Sequence, residues 1–224
     1  MSRELQLFLA ATDLDDVSRA RTNLGTPSER DQAALQAVIR NWDDEQAVAN
    51  VLFHAGLIPQ PQRAQVVLQA LNERKHRYYV LAAVVAAPAA VDGVGSEMRI
   101  TIRDRLLALL GTGNKVIAER TTLALFDILQ PEEAAIVVNL LDHPTELVRH
   151  NLLAWLMFHF DPEMSDRWAQ LLENSSLRSA SKVRIRQTVA QHLVNKRAGT
   201  LTNVAAPLLT YIPNLSEFGW PALP

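Results

Sequence analysis

The chain has 224 residues and no cysteine, which excludes a disulfide framework and any thiolate metal site. Its 48% hydrophobic and 21% charged residues are the composition of a folded globular protein and exclude an intrinsically disordered one. The longest apolar run, residues 80–91, contains a proline and falls short of the roughly 20 residues that span a bilayer. We therefore expect a soluble, cytoplasmic protein with no membrane segment.

The first 25 residues predict two short helices that shield one end of the fold. Ser2 and Asp13 stand at the expected N-cap positions, where a short polar side chain accepts a hydrogen bond from a free amide of the first turn. Gly25 is the predicted stop of the second helix. Such atypical end helices are expected in a repeat array, because its terminal units would otherwise expose their apolar faces.

Residues 26–87 predict two pairs of helices. The motif Thr26-Pro27-Ser28-Glu29 is typical of a capping box with proline at the first helical position. Asp43 is the expected cap of the partner helix. Pro61 then opens another helix, whose partner covers residues 78–87.

Residues 88–96 predict a loop, because Pro88 begins the stretch and two glycines punctuate it. Ser96 is placed to cap the helix that follows. A glycine-containing turn at residues 111–114 separates that helix from its partner, which covers residues 117–129. This part of the chain therefore predicts a third pair of helices.

Residues 131–160 predict the clearest helical hairpin in the chain. Pro131 suits the first position of an outer helix, which should end near Asp142 because residues before a proline avoid the α conformation. Pro144 begins an inner helix that is apolar nearly all round and contains Trp155. A helix of that kind is buried between neighbours.

The hairpin carries a resemblance to a known family. The motif Leu140-Leu141-Asp142-His143-Pro144, followed by Leu147-Val148-Arg149 and an apolar helix, resembles a HEAT repeat. The resemblance implies an all-α fold, a right-handed α-α superhelix of about five antiparallel helix pairs. It also implies that Asp142 caps the turn and that Arg149 joins a ladder of polar contacts between repeats.

With this architecture the whole chain, 1–224, forms a single solenoid domain. The cap helices lie within 1–25, the helix pairs within 26–198, and a C-terminal cap or tail within 199–224. The tail contains proline and aromatic residues, and two interpretations stay open: it covers the end of the last repeat, or it binds a partner.

No constellation of residues predicts catalysis. His150 and His159 share a helix but are nine residues apart, so they project from opposite sides and do not predict a metal site. Acidic residues such as Glu132 and Glu133 cluster at predicted helix starts, where capping and the helix dipole account for them. We therefore predict no catalytic residue, no metal and no cofactor.

The charge is unevenly distributed along the chain. The formal net charge is −2, but residues 174–216 contain six basic and no acidic side chains. On a helix, Arg178, Lys182 and Arg186 would share one face, with Arg184 pointing elsewhere. This stripe predicts either binding to phosphate or to an acidic protein surface, or pairing with acidic residues of the preceding repeat.

The architecture favours a non-catalytic scaffold that binds a protein or peptide on the concave face, because a stack of helix pairs offers a long surface and little enclosed space. The candidate binding residues are Arg77, Tyr78, Arg149, Lys182, Arg184 and Arg186. The alternative is nucleic-acid binding through the basic segment 178–197, in the manner of HEAT-like DNA glycosylases. A third interpretation is a HEAT-like lyase that attaches a bilin chromophore, for which no residue is specific.

Overall fold

The computed structural model describes residues 1–73, 77–159 and 165–187, and within these ranges every regular element is a helix. The prediction of an all-α fold is therefore confirmed. The predictions for residues 161–163 lie outside the described residues. So do those for residues 188–224, which include the C-terminal part of the basic segment and the tail. Among the helices that are described, none has the length and apolar character needed to cross a membrane.

Residues Met1–Ile128 form one compact unit, and the described residues from Leu129 onwards belong to a second. The helices of the first unit are α1 (Arg3–Ala10), α2 (Leu14–Leu24), α3 (Glu29–Asn41), α4 (Glu45–Phe53), α5 (Gln62–Leu71), α6 (Arg77–Val91), α7 (Ser96–Leu110) and α8 (Lys115–Ile128). Those of the second unit are α9 (Ala134–Asn139), α10 (Glu146–Phe158), α11 (Ser165–Glu173) and α12 (residues 179–187).

The first two helices begin where the sequence predicts, and the second also ends at the predicted glycine. The Ser2 hydroxyl accepts a hydrogen bond from the Leu5 amide at 3.1 Å, and the Asp13 carboxylate accepts one from the Asp16 amide at 2.8 Å. Gly25 ends α2 with a φ of 57°, a conformation that glycine adopts without steric cost. Each N-cap hydrogen bond joins residues only three positions apart, so the starts of these helices can be predicted from the sequence.

The next two helices begin later than predicted. Ser28, and not Thr26, is the N-cap of α3, since its hydroxyl accepts from the Asp31 amide at 3.2 Å. Asp44, and not Asp43, caps α4 through the Ala47 amide at 3.0 Å. In both cases the residue that caps is the one whose side chain reaches the amide three positions on.

The predicted loop over residues 88–96 is wrong in its first part, because α6 continues through Pro88 to Val91. An internal proline removes the hydrogen bond to the carbonyl four residues earlier, but α6 packs against α4, α5 and α8. Burial of this apolar helix offsets the lost bond. The loop is confined to the residues before α7, and Gly95, not Ser96, holds the N-cap position of that helix.

Side chains from α5 and the turn before it satisfy the carbonyl groups at the end of α6. The Gln60 amide donates to the Ala90 carbonyl at 2.8 Å and to the Asp92 carbonyl at 2.9 Å. The Arg63 guanidinium donates to the Ala89 carbonyl at 3.1 Å. Together they cap a helix end that would otherwise leave its last carbonyls without donors.

The helices of the first unit form two rows. Helix α6 contacts α4 on one side and α8 on the other, and α1 packs against α4. Helix α5 contacts α7, and each of these two packs against the helix that follows it, α6 and α8 respectively. We call α4, α6 and α8 the inner row, and α5 and α7 the outer row.

The second unit contains the predicted hairpin, with helices on both sides of His143 as expected. The turn is longer than predicted, because α9 ends at Asn139 and α10 begins at Glu146, two residues after Pro144. Helix α9 packs against both α10 and α11. The predicted burial of the inner helix is confirmed at Trp155, whose relative exposure is 1%.

Candidate functional site

The Arg149 side chain forms hydrogen bonds within the α9–α10 hairpin. Its guanidinium Nη1 donates to the carbonyls of His143 at 2.7 Å and Pro144 at 2.9 Å. The resemblance implied contacts between repeats, but these hydrogen bonds hold the turn before α10. The guanidinium reaches the turn because Arg149 lies one turn into the helix, directly beneath those carbonyls.

The contacts between helix pairs come from the α9–α10 turn. The Asp142 carboxylate accepts hydrogen bonds from the Arg178 backbone amide at 3.4 Å and from the Ser181 hydroxyl. Beside it, the side-chain oxygen Oδ1 of Asn139 accepts a hydrogen bond from the Ser176 backbone amide at 2.9 Å. The bond from Ser181 and those from Arg178 hold the pKa of Asp142 below its ordinary value. Asp142 therefore caps the start of α12 and not its own turn.

The basic stripe predicted from the sequence is tied to acidic and carbonyl groups of the same unit. Arg178 pairs with Asp142 at 3.4 Å, and Arg186 pairs with Glu173. The Lys182 ammonium donates a hydrogen bond at 2.7 Å to the backbone carbonyl of Glu173, which is the last residue of α11. Of the two interpretations of the stripe, pairing with nearby acidic residues is the one these contacts favour. An anionic ligand would have to compete with Asp142 and Glu173.

Two arginines of the first unit also donate hydrogen bonds to backbone carbonyls at helix ends. Arg99 donates to the Ile128 carbonyl at 3.2 Å, and Arg105 donates to the Leu71 carbonyl at 3.0 Å. These acceptors end α8 and α5, and a cation beside a helix C-terminus is favoured by the helix dipole. Basic side chains in the first unit therefore stabilise helix ends, as Arg63 does for α6.

The six predicted binding residues are placed on three helices. Arg77 and Tyr78 are the first residues of α6, but their side chains lie outside the described part of the chain. Arg149 lies on α10, whereas Lys182, Arg184 and Arg186 all lie on α12, where Arg184 is exposed. The grouping on α12 is the only one among these six that the described residues establish.

The sequence analysis did not single out the exposed apolar face of α6. Val85 is 45% exposed and Ala89, one turn later, is also exposed. From Tyr78 to Val91 the helix contains no charged side chain. An inner-row helix therefore presents uncharged, apolar surface to solvent. The signal available in the sequence was the long apolar run over residues 80–91, which by itself indicates no exposed face.

Two buried asparagines occupy the sixth residue of their helices and differ in their contacts. Asn50 on α4 is 1% exposed, and its amide donates to the carbonyls of Phe8 at 2.9 Å and Ala11 at 2.8 Å. Asn151 on α10 is 2% exposed, and neither its side-chain oxygen nor its side-chain nitrogen has a hydrogen-bond partner among the described residues. Asn50 thus fastens the end of α1 to α4, whereas Asn151 makes no such bond.

The histidine and carboxylate side chains of the described residues do not form a cluster of three or more that could hold a metal ion. Tyr79 is buried, and this burial together with Glu45 and Asp44 raises its pKa to about 12. Its phenol therefore stays protonated at physiological pH.

Comparison with protein-family models, curated proteins and solved structures finds no match for this chain.

Proposed function

We propose that the chain is a non-catalytic scaffold that binds a protein or peptide partner. Its helix pairs would stack as a HEAT-like, right-handed superhelix, and the inner row would line the concave face. The observation that carries the proposal is the uncharged face of α6, where Val85 is 45% exposed on a helix held between α4 and α8.

The α6 surface also indicates what the partner presents. A charged group would lose hydration against Val85 and Ala89 without gaining an ion pair from α6, which costs free energy. An apolar side chain would gain free energy by leaving water there. We therefore expect a partner segment with apolar anchor residues, of the kind that usually dominates the energy of a protein interface.

A peptide library displayed on phage tests this proposal with a defined probe. Peptides selected on the wild-type protein are expected to be rich in apolar residues. The substitution Val85→Lys is expected to weaken their binding about tenfold or more, because it places a charge in the centre of the contact. The dissociation constants are measured by fluorescence anisotropy with labelled peptides.

The matched control is Ile100→Lys on the outer-row helix α7. Ile100 is also β-branched and is 38% exposed, so the two variants introduce the same charge at similar exposure. Binding to the Ile100→Lys variant should remain within about twofold of the wild type, since surface substitutions are usually near neutral. Equal losses in both variants, or a library that yields no binding peptide, would contradict the proposal.

Nucleic-acid binding through the basic segment is the second candidate, and a titration at low and moderate salt tests it. We expect only weak binding, because Arg178 and Arg186 are paired with Asp142 and Glu173. The double variant Lys182→Glu, Arg186→Glu should change this binding no more than a double reversal at Arg19 and Lys115 in the first unit. Both should alter stability by under about 1 kcal/mol, since exposed ion pairs contribute little.

Tight binding to an oligonucleotide would favour nucleic-acid binding if two conditions hold. The binding must be lost at moderate salt, and it must be lost in the Lys182→Glu, Arg186→Glu variant but not in the Arg19 and Lys115 variant. Such a result would show that phosphates displace Asp142 and Glu173 from the basic side chains, with the salt dependence that counterion release requires. The scaffold proposal would then lose its advantage over nucleic-acid binding.

A further inference from the structure

The turn after α6 contains the only Asp–Gly pair in the sequence, Asp92-Gly93. Both residues are exposed. Gly93 has a φ of 70°, and a Cβ built on it would meet no atom within 4 Å. Glycine leaves its backbone amide nitrogen accessible, because no side chain shields it. The Asp92 carboxyl and the Gly93 nitrogen are therefore neighbours in an open turn.

We propose that Asp92-Gly93 is a site of spontaneous isoaspartate formation that loosens the end of α6. The Gly93 nitrogen attacks Cγ of Asp92, an N–Cγ bond forms, and one carboxyl oxygen leaves as water. The product is a five-membered succinimide ring. Water then adds to the former main-chain carbonyl carbon of Asp92 and breaks its bond to the Gly93 nitrogen. The net atom count is unchanged, and the reaction needs no co-reactant besides water.

The consequence for the structure follows from the contacts of Gln60. In isoaspartate the main chain runs through Cβ and Cγ, so the backbone gains one methylene. The carbonyl of Asp92, which accepts from Gln60 at 2.9 Å, becomes part of a free carboxylate instead. Gln60 also holds the Ala90 carbonyl at 2.8 Å, so displacement of the turn loosens the cap of α6 from the α5 side.

The test ages the full-length protein for weeks at neutral pH and physiological temperature. Peptide mapping with enzymatic methylation of isoaspartyl groups locates the product. We expect it at Asp92, at a rate within about tenfold of the same chain in denaturant, because exposed helix ends open at little free-energy cost. The Asp92→Glu variant keeps the charge but would need a six-membered ring, so it serves as the unreactive control.

A second measurement, hydrogen exchange, follows the α6 amides. Exchange near Val91 should accelerate in the aged wild type and stay unchanged in aged Asp92→Glu. The proposal is overturned if isoaspartate at Asp92 is no more abundant than at Asp104, an exposed aspartate within α7. It is equally overturned if the folded chain is protected more than about tenfold, or if the control ages in the same way.

Discussion

Replacement of Trp155 by alanine is expected to lower the free energy of unfolding of the second unit by about 3–5 kcal/mol. Trp155 lies on α10 with 1% exposure and is among the largest fully buried side chains of the described residues. Its ring also packs against His159, with the two centroids 4.4 Å apart. Alanine would remove this buried surface and leave a cavity. Denaturation with urea, followed by circular dichroism, measures the change.

The conservative variant Trp155→Phe separates packing from hydrogen bonding. The indole nitrogen of Trp155 is buried and has no hydrogen-bond partner within residues 1–73, 77–159 and 165–187, so its removal breaks no bond to these residues. Phenylalanine retains most of the aromatic volume, and we expect a loss below about 1.5 kcal/mol. If the alanine variant itself costs less than about 1 kcal/mol, Trp155 is not in the core and the assignment of α10 as an inner helix is wrong.

The two buried asparagines provide the second prediction with a large effect. Asn50→Ala is expected to cost about 2–4 kcal/mol, because it removes the donor to the buried Phe8 carbonyl and to the half-buried Ala11 carbonyl. The same substitution at Asn151 removes a side-chain amide that has no partner in the described part of the chain, so it is expected to cost under about 1 kcal/mol or to stabilise the protein. Both variants replace a buried asparagine by alanine, so the difference between their losses of stability reports the contribution of the Asn50 hydrogen bonds.

Hydrogen exchange gives this pair of variants a local measurement. The amides of α1 should exchange faster in Asn50→Ala, because Asn50 fastens the end of α1 to α4, and should be unchanged in Asn151→Ala. A loss of stability at Asn151 as large as that at Asn50 would show that the Asn151 amide has a hydrogen-bonding partner in solution. That partner would then become the first group to identify in the second unit.

The use of basic side chains explains why charge along the sequence is a poor guide to binding here. Arg63, Arg99 and Arg105 donate to carbonyls at helix ends, and Arg178 and Arg186 pair with carboxylates of the second unit. A cation engaged in this way contributes to holding the helices together. From the sequence, such a residue would be predicted to bind an anionic ligand. In the structure, nearby carboxylates and carbonyls already neutralise part of its charge.

Local features of this protein could be predicted from the sequence by itself. Ser2 and Asp13 begin α1 and α2, Gly25 ends α2, and the turn around His143 separates two helices. Each of these depends on hydrogen bonds or backbone angles within a few residues, so the determining groups are adjacent in the sequence. The all-α fold follows from the same signals together with the apolar periodicity.

Three features of the fold depend on residues that are distant in the sequence, and only the tertiary structure determines them. Pro88 continues α6 because packing against α4, α5 and α8 offsets the missing hydrogen bond. Asp142 caps α12 instead of its own turn, and Val85 is exposed on α6, an exposure that the sequence does not predict. These results depend on partners many residues away, and the free energy of such contacts is set by their positions in space, which local propensity does not specify.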